Sequence, residues 1–470
     1  MPKEARYFAV CVAVALVLTP LVLWRPAILA IVGGALFMPV ILARPKVLCA
    51  ITLLASMTTL TMQQLSGVAV LGSLDEMLII LCVFVVLTPN LIRRKKFRRL
   101  PGNLPLLIFI ALGVAGGVFN GASASLILQD GFLLTKGFLF AFLVAQLDWA
   151  ADDLRRVVKG GGAVIAVVLA AGVINLGMPG AWAQLFGDKE SVRAGVASLI
   201  GPFTHPSFFG QVTALAAIAV GSYRAVVRKS GMSLALLIGS ILGVVLSVRR
   251  KAIIGLLGVA LWFGLARRPA ATLALLAAVL PFAIYLSWDQ LIAARDAVNL
   301  EYFVNPEGSA RTVLYKTGLE LSVSNFPGGV GFSRYGTFVA GSSYSPLYYD
   351  LGFPSVWGLQ PDGRFLTDTY WPGIFAETGI LGAAALIAAL GTLATHSWKL
   401  FKRATDPLVK WIAVVGTGWS LEYLFESAAS PVYSSPPTYL ILFAALGIVI
   451  SLSDSNPALS PAKHERRALR

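Results

Sequence analysis

Three consecutive cations, Arg249-Arg250-Lys251, interrupt an otherwise apolar stretch, VVLSVRRKAIIGLL. Ionisable side chains at membrane depth are costly and commonly mark a substrate or ion path. Guanidinium groups bind phosphate oxygens two at a time, so this cluster suits an anionic, phosphate-bearing ligand. Snorkelling of the same side chains to lipid headgroups is the competing explanation. Arg193 and Lys136 are the other cations placed to join such a site. Among the acids, Asp75 and Glu76 follow Ser73 in the spacing of a helix capping box. Glu422 and Glu426 lie one helical turn apart, as helix-packing ion-pair partners or reactive carboxylates. His205, His396 and His464 are far apart along the chain, and Cys11, Cys49 and Cys82 all fall in apolar runs. Neither a disulfide nor a histidine or cysteine metal site is expected, and no Walker loop or dinucleotide fingerprint is present.

The elements that must hold these residues are membrane spans. Apolar residues make up 57% of the 470, charged residues 13%, and the mean hydropathy is +0.77. Soluble domains carry about 25% charge, so the expected fold class is an all-α polytopic membrane protein. Apolar runs fall near 7–24, 27–43, 47–65, 74–92, 103–119, 131–147, 160–178, 206–223, 231–248, 252–266, 269–287, 371–395, 409–427 and 436–452. At about 20 residues per crossing they give about 12–14 transmembrane helices, 27–43 and 252–266 being short. Lys3 and Arg6 precede the first run without a cleavage pattern, which reads as a retained span.

With the N-terminus inside, most of the 38 Lys+Arg fall on cytoplasmic segments, including the run RRKKFRR at 93–99. The net charge of +15 is then a topology signal, and nucleic acid is not an expected partner. The chain divides into a bundle at 1–287, a large periplasmic loop at 288–370, spans at 371–452 and a basic cytoplasmic tail at 453–470. Arg193, Lys136 and Arg249-Arg250-Lys251 all fall toward the outer face, against the general charge rule. The stretch from Trp288 to Tyr370 is long, polar and aromatic, and connections of more than about 15 residues are usually functional or disordered. It is the natural cover for a site on that face.

Three segments together resemble the O-antigen ligase and Wzy-type polysaccharide polymerase superfamily, the membrane glycosyltransferases with a Wzy_C region. RAGVASLIGPFTHPSFFGQ, from Arg193 to Gln211, is similar to an outer-loop arginine followed by G-x-F-x-H-P-(N/S)-x-x-G. LSVRRKAIIGLL is similar to the arginine at a junction between spans. GSARTVLYKTGLELSVSNFPGGVGF, from Gly308 to Phe332, resembles S-x-R-x-x-x-W-x-x-(A/G)-(L/I) leading to P-x-x-G-x-G. DTYWPGIFAETGILG, from Asp368 to Gly382, resembles H-N-x-(Y/F)-L followed by E-x-G-x-x-G. The resemblance covers roughly residues 190–385; each pattern is short, and their order and spacing carry the weight.

The resemblance implies a metal-independent, GT-C-like glycosyltransferase of the bacterial inner membrane, without a cofactor and with a periplasmic active site. Its donor would be an undecaprenyl-pyrophosphate-linked oligosaccharide. Arg193, Arg249, Arg250 and Lys136 would hold the pyrophosphate, with Arg311 near the start of the loop motif. Where the ligases carry a histidine this chain has Asp368, with Thr369 after it. A carboxylate can still orient or deprotonate a hydroxyl, so Asp368, with Arg311 and His205, completes the expected catalytic set. That departure favours a polymerase, whose acceptor is a growing lipid-linked glycan, over a ligase onto lipid A core. Other polysaccharide assembly proteins are conceivable partners. A transporter or flippase of lipid-linked saccharide is the reading from another class. Tyr344, Tyr348, Tyr349, Phe353, Trp357, Tyr370 and Trp371 are candidates for stacking on sugar or for an interfacial belt. The glycines of PGGVGF are expected to shape the backbone.

Overall fold

The computed structural model describes residues 43–186, 192–193, 196–274, 277–278, 309–363 and 365–455. The apolar run at 7–24, all but the last residue of 27–43, the larger part of 269–287, the first part of the long loop and most of the basic tail lie outside them. The described chain is all-α apart from one ladder of two-residue strands. Its helices are α1 Pro45–Ser66, α2 Leu74–Ile92, α3 Asn103–Phe119, α4 Ala124–Ala145, α5 Ala151–Gly177 and α6 Pro179–Leu185. After β1 Val192–Arg193 and β2 Val196–Ala197 come α7 Pro206–Val226, α8 Gly231–Leu246 and α9 Arg250–Arg267. The long segment contributes α10 Ala310–Ser324, α11 Phe338–Ser342 and α12 Pro346–Asp350. The chain closes with α13 Trp371–Arg403, α14 Pro407–Glu426 and α15 Tyr439–Ser455. Among the described residues five helices are long and apolar enough to cross a membrane, an architecture compatible with a multi-pass membrane protein.

Helix ends follow local chemistry. Pro45 opens α1, and Gly67, in a left-handed conformation, closes it with its N–H on Gln63 O. Ser123 caps α4, and Asp406, followed by Pro407, caps α14 through the N–H groups of Leu408 and Val409. α7 is buried along nearly its whole first four turns and forms the centre of the bundle. Trp411 and Trp419 of α14 donate their indole N–H to Ala219 O and Leu215 O of α7, both at 2.9 Å, stapling the two helices. Phe109, Phe138, Leu386, Tyr423 and Phe443 fill the core beside them.

The long segment is folded. Leu314, Val330, Tyr335, Tyr348, Phe353, Leu359 and Leu366 form a core of their own. The segment rests on the face of the bundle where α3 and α14 end and α4 and α13 begin. Arg334 donates to Asn120 O after α3, Ser333 N–H to Asp130 of α4 at 2.7 Å, and the Tyr315 hydroxyl to Ala428 O after α14 at 2.7 Å.

Residues 327–337 go further and thread between α3 and α13. α13 is broken at Gly379 (φ 67, ψ −179), which removes the helical partners of nearby carbonyls. Val330 N–H and Gly331 N–H donate instead to Ala376 O and Glu377 O, both at 2.8 Å. On the other side Phe332 N–H donates to Gly113 O of α3 at 2.9 Å. The crossing depends on glycine. A Cβ on Gly331 (φ +88) would lie 1.7 Å from Gly117 N. The PGGVGF motif therefore shapes the backbone, and Phe332, fully buried, locks it against Phe109.

Candidate functional site

Arg249 is the N-cap residue of α9 and is buried, whereas Arg250, the first helical residue, is exposed. The turn before them is strained. Val248 has φ 51, an outlier conformation for a β-branched residue that persists only where the surroundings over-determine it. The N-terminus of α9 also directs its first backbone N–H groups, with the positive end of the helix dipole, toward the same place. Lys251, the next residue, donates to Ser430 Oγ and lies 3.7 Å from Glu426 Oε2.

Ser430 belongs to a short turn, Ser427–Ser430, that follows α14, and this turn is where the separate motifs meet. The Tyr315 hydroxyl of α10 donates to Ala428 O, and the Trp371 indole donates to Ser427 Oγ at 2.9 Å. Arg311, one turn before Tyr315 on α10, forms an ion pair with Asp368. The structure thus brings Arg311 and Asp368 together, and sets Lys251 and α10 on the same turn, Lys251 at Ser430 and Tyr315 at Ala428. Asp368 does not cap α13, which begins without a side-chain cap. A guanidinium paired with a carboxylate on a partly exposed edge can engage an anion with one member and a hydroxyl proton with the other.

The other candidate residues are placed differently. The backbone of Arg193 lies in the β1–β2 hairpin, where it faces Val196; its side chain is outside the described residues. Beyond the hairpin the chain runs to Leu199, whose N–H donates to Leu246 O at 3.0 Å, three residues before Arg249. That fixes the Arg193 segment beside the end of α8. His205 is the N-cap of α7, its Nδ1 accepting from Ser207 N–H at 3.2 Å. Lys136 is buried and pairs with Glu76 at 2.7 Å and Asp75 at 3.7 Å, with Tyr439 beneath it. Its charge is balanced within the bundle, and no contact joins it to Arg249–Lys251. The acids at 75 and 76 are its counter-charges, and Ser73, at the N-cap of α2, makes no side-chain cap bond.

Of the proposed sugar-stacking aromatics, Tyr348, Phe353 and Tyr370 are buried and belong to the protein core. The Tyr348 phenol accepts Gly336 N–H, and burial holds it well above the usual tyrosine range, so it stays neutral there. Tyr349 and Trp357 are exposed and free to meet a ligand.

Several residues escaped the sequence reading. Asn175 of α5 is buried and its Oδ1 accepts the N–H of Ile200 and of Gly201, holding the GPFTHP turn. Asp130 and Glu377 form a buried carboxyl pair beneath residues 333–337. Glu377 lies inside a quoted motif. Asp130 had a signal of its own, as an acid close to an apolar run. Glu422, by contrast, was singled out in the sequence with Glu426; it is fully buried with both oxygens unpartnered, one pressed onto the backbone of α9 at Gly255. Among the described residues no group of three or more His, Cys, Asp or Glu is arranged to hold a metal ion.

No family model and no curated protein matches this chain. The functional reading therefore rests on the site itself.

Proposed function

We propose that this protein is a membrane glycosyltransferase that polymerises polysaccharide. It would take a glycan from undecaprenyl pyrophosphate and join it to a sugar hydroxyl of another lipid-linked unit on the periplasmic face of the inner membrane. The observation that supports this reading is that Lys251, two residues after Arg249, and Tyr315, one turn along α10 from the Arg311–Asp368 pair, both bind the Ser427–Ser430 turn. A lipid-borne pyrophosphate fits cations set at the ends of membrane helices, because its tail stays in the bilayer while its charge sits at the surface.

In this mechanism the acceptor hydroxyl oxygen attacks the anomeric carbon of the donor sugar. The bond from that carbon to the pyrophosphate oxygen breaks, and its electron pair leaves with the pyrophosphate. Arg249, the α9 N-terminus and Arg311 offset the charge that develops there. Asp368 accepts the hydroxyl proton. Holding donor and acceptor side by side supplies much of the remaining acceleration. Arg193, carried by the adjoining hairpin, is the further candidate for the pyrophosphate. In this reading Lys136 and His205 serve the scaffold, and Arg250 faces outward.

The test uses protein reconstituted in lipid with a synthetic undecaprenyl-pyrophosphate oligosaccharide. Wild type is expected to yield a ladder of longer lipid-linked glycans and free polyprenyl pyrophosphate. Arg249→Ala, Arg311→Ala and Asp368→Asn are each expected to lower the rate by about 100-fold or more while remaining folded. A single transfer to a lipid A core acceptor would identify a ligase instead. Binding without turnover on any acceptor would overturn the transferase reading in favour of transport.

A further inference from the structure

The buried carboxyls of Asp130 and Glu377 touch none of the groups in the proposed transfer, and their surroundings impose a condition on them. Asp130 is 1% exposed and Glu377 0%. Glu377 Oε1 accepts two successive backbone N–H groups, from Arg334 at 2.8 Å and Tyr335 at 2.9 Å. Asp130 Oδ2 accepts Ser333 N–H at 2.7 Å. The Thr337 hydroxyl lies 3.1 Å from both acids, bridging Asp130 Oδ2 and Glu377 Oε1.

Hydrogen counting decides what this arrangement holds. A threonine hydroxyl has one hydrogen and donates to one acid only. Its contact with the other acid needs a hydrogen that two ionised carboxylates do not have. Among the described residues no lysine or arginine forms an ion pair with either acid. Arg334, the cation within the segment itself, turns its guanidinium to Asn120 O, and Lys136, six residues after Asp130, is paired with Asp75 and Glu76. Two adjacent buried negative charges without a counter-ion are not sustainable.

We propose that Asp130 and Glu377 hold one proton between them, and that this protonated pair clamps residues 333–337 onto α4 and α13. The clamp has a consequence for the candidate site. Tyr335, fixed by Glu377 through its N–H, donates its hydroxyl to Leu314 O at 2.8 Å, one turn along α10 from Arg311. Gly318, the next turn, packs against the backbone of Pro372, four residues after Asp368. Asp130 and Glu377 are thus positioning residues that set α10 against the start of α13. The proposal stands on the pair's own geometry and does not require that the chain transfer glycans.

The experiment compares Asp130→Asn, Glu377→Gln and Asp130→Ala in lipid nanodiscs at neutral pH. An amide supplies the missing hydrogen, so Asp130→Asn and Glu377→Gln are expected to keep wild-type protection of the 333–335 amides in hydrogen exchange. Asp130→Ala strands Ser333 N–H and leaves Glu377 alone, and exchange there is expected to rise about 10- to 100-fold. Infrared difference spectra of wild type against Asp130→Asn are expected to show one protonated carboxyl band that the variant lacks. The proposal is overturned if that band is absent, or if Asp130→Asn loosens the segment as much as Asp130→Ala. Neither outcome bears on the transfer assay, so the two readings fail separately.

Discussion

Replacing Gly331 with alanine tests the threaded segment directly, because a second glycine supplies the control. Gly331 and Gly352 both have left-handed φ, +88 and +70. Alanine in that region costs about 1–2 kcal/mol at either position. At Gly352 nothing lies within 4 Å of the new Cβ, so the cost ends there. At Gly331 the Cβ would lie 1.7 Å from Gly117 N and 2.1 Å from Gly116 C, backbone atoms of a packed helix that cannot rotate away. The segment must lift. Lifting breaks the bonds from Val330, Gly331 and Phe332 N–H, about 0.5–1.5 kcal/mol net for each. It also withdraws Phe332 from its pocket, comparable to the roughly 3–5 kcal/mol of a buried Phe→Ala change. The total exceeds about 5 kcal/mol, on the order of a small domain's whole stability. Hydrogen exchange in nanodiscs is the assay. Gly331→Ala is expected to raise exchange at 330–332 by roughly 10³-fold or more, and Gly352→Ala to lower the melting temperature by about 4 °C at most. Similar behaviour of the two variants would refute the threading.

Further expectations follow from the charges. Lys136→Met leaves Asp75 and Glu76 without their partner and should cost about 3–5 kcal/mol in denaturant unfolding; if it instead weakens donor binding in a stable protein, Lys136 belongs to the site. Lys251→Met strands the buried Glu426 at a similar cost of about 3–5 kcal/mol, and the double change Lys251→Met/Glu426→Gln should recover most of it in the same unfolding measurement. On the opposite face Arg98 donates to Asp148 at 2.6 Å, and this hydrogen bond holds the Asp148 carboxyl below its ordinary range. A depressed carboxyl contributes stability above its unfolded value of about 3.9 and loses it as pH falls through the folded value. Asp148 is largely exposed, so the effect is small: Arg98→Ala should lower the melting temperature slightly at neutral pH and flatten the acid limb, the difference due to this pair closing once Asp148 is protonated in both proteins.

Much of the bundle was legible because a crossing helix needs a continuous apolar run. The runs at 74–92 and 103–119 coincide with α2 and α3 end to end. The run at 131–147 began too late. Gln129-Asp130-Gly131 interrupts the hydropathy, yet α4 starts at Ala124 under the Ser123 cap, so Asp130 lies well inside a helix. That displacement hid the carboxyl pair, since an acid assigned to a loop calls for no partner. Basic residues at the α8–α9 junction stood out by type. Their neighbours did not, because Lys251 and Ser430 are 179 positions apart and no local pattern links them. Arg311 and Asp368 were singled out separately, but their pairing depends on how the long segment folds. The aromatics show the same limit. Composition cannot tell a tyrosine left exposed, such as Tyr349, from one that fills a core, such as Tyr348.

The threaded segment also imposes an order of assembly. α3 and α4 leave the ribosome some two hundred residues before Val330, and α13 follows it. The break at Gly379 is stable only once Val330 and Gly331 supply hydrogen bonds to Ala376 and Glu377. During insertion α13 therefore has reason to remain a straight helix with its own bonds intact, and to bend only on meeting the segment already laid against α3. Maturation of this protein would then take two stages, insertion of helices followed by docking of the threaded segment. A mutation at that seam would yield a chain that is fully inserted, correctly oriented and still unfinished.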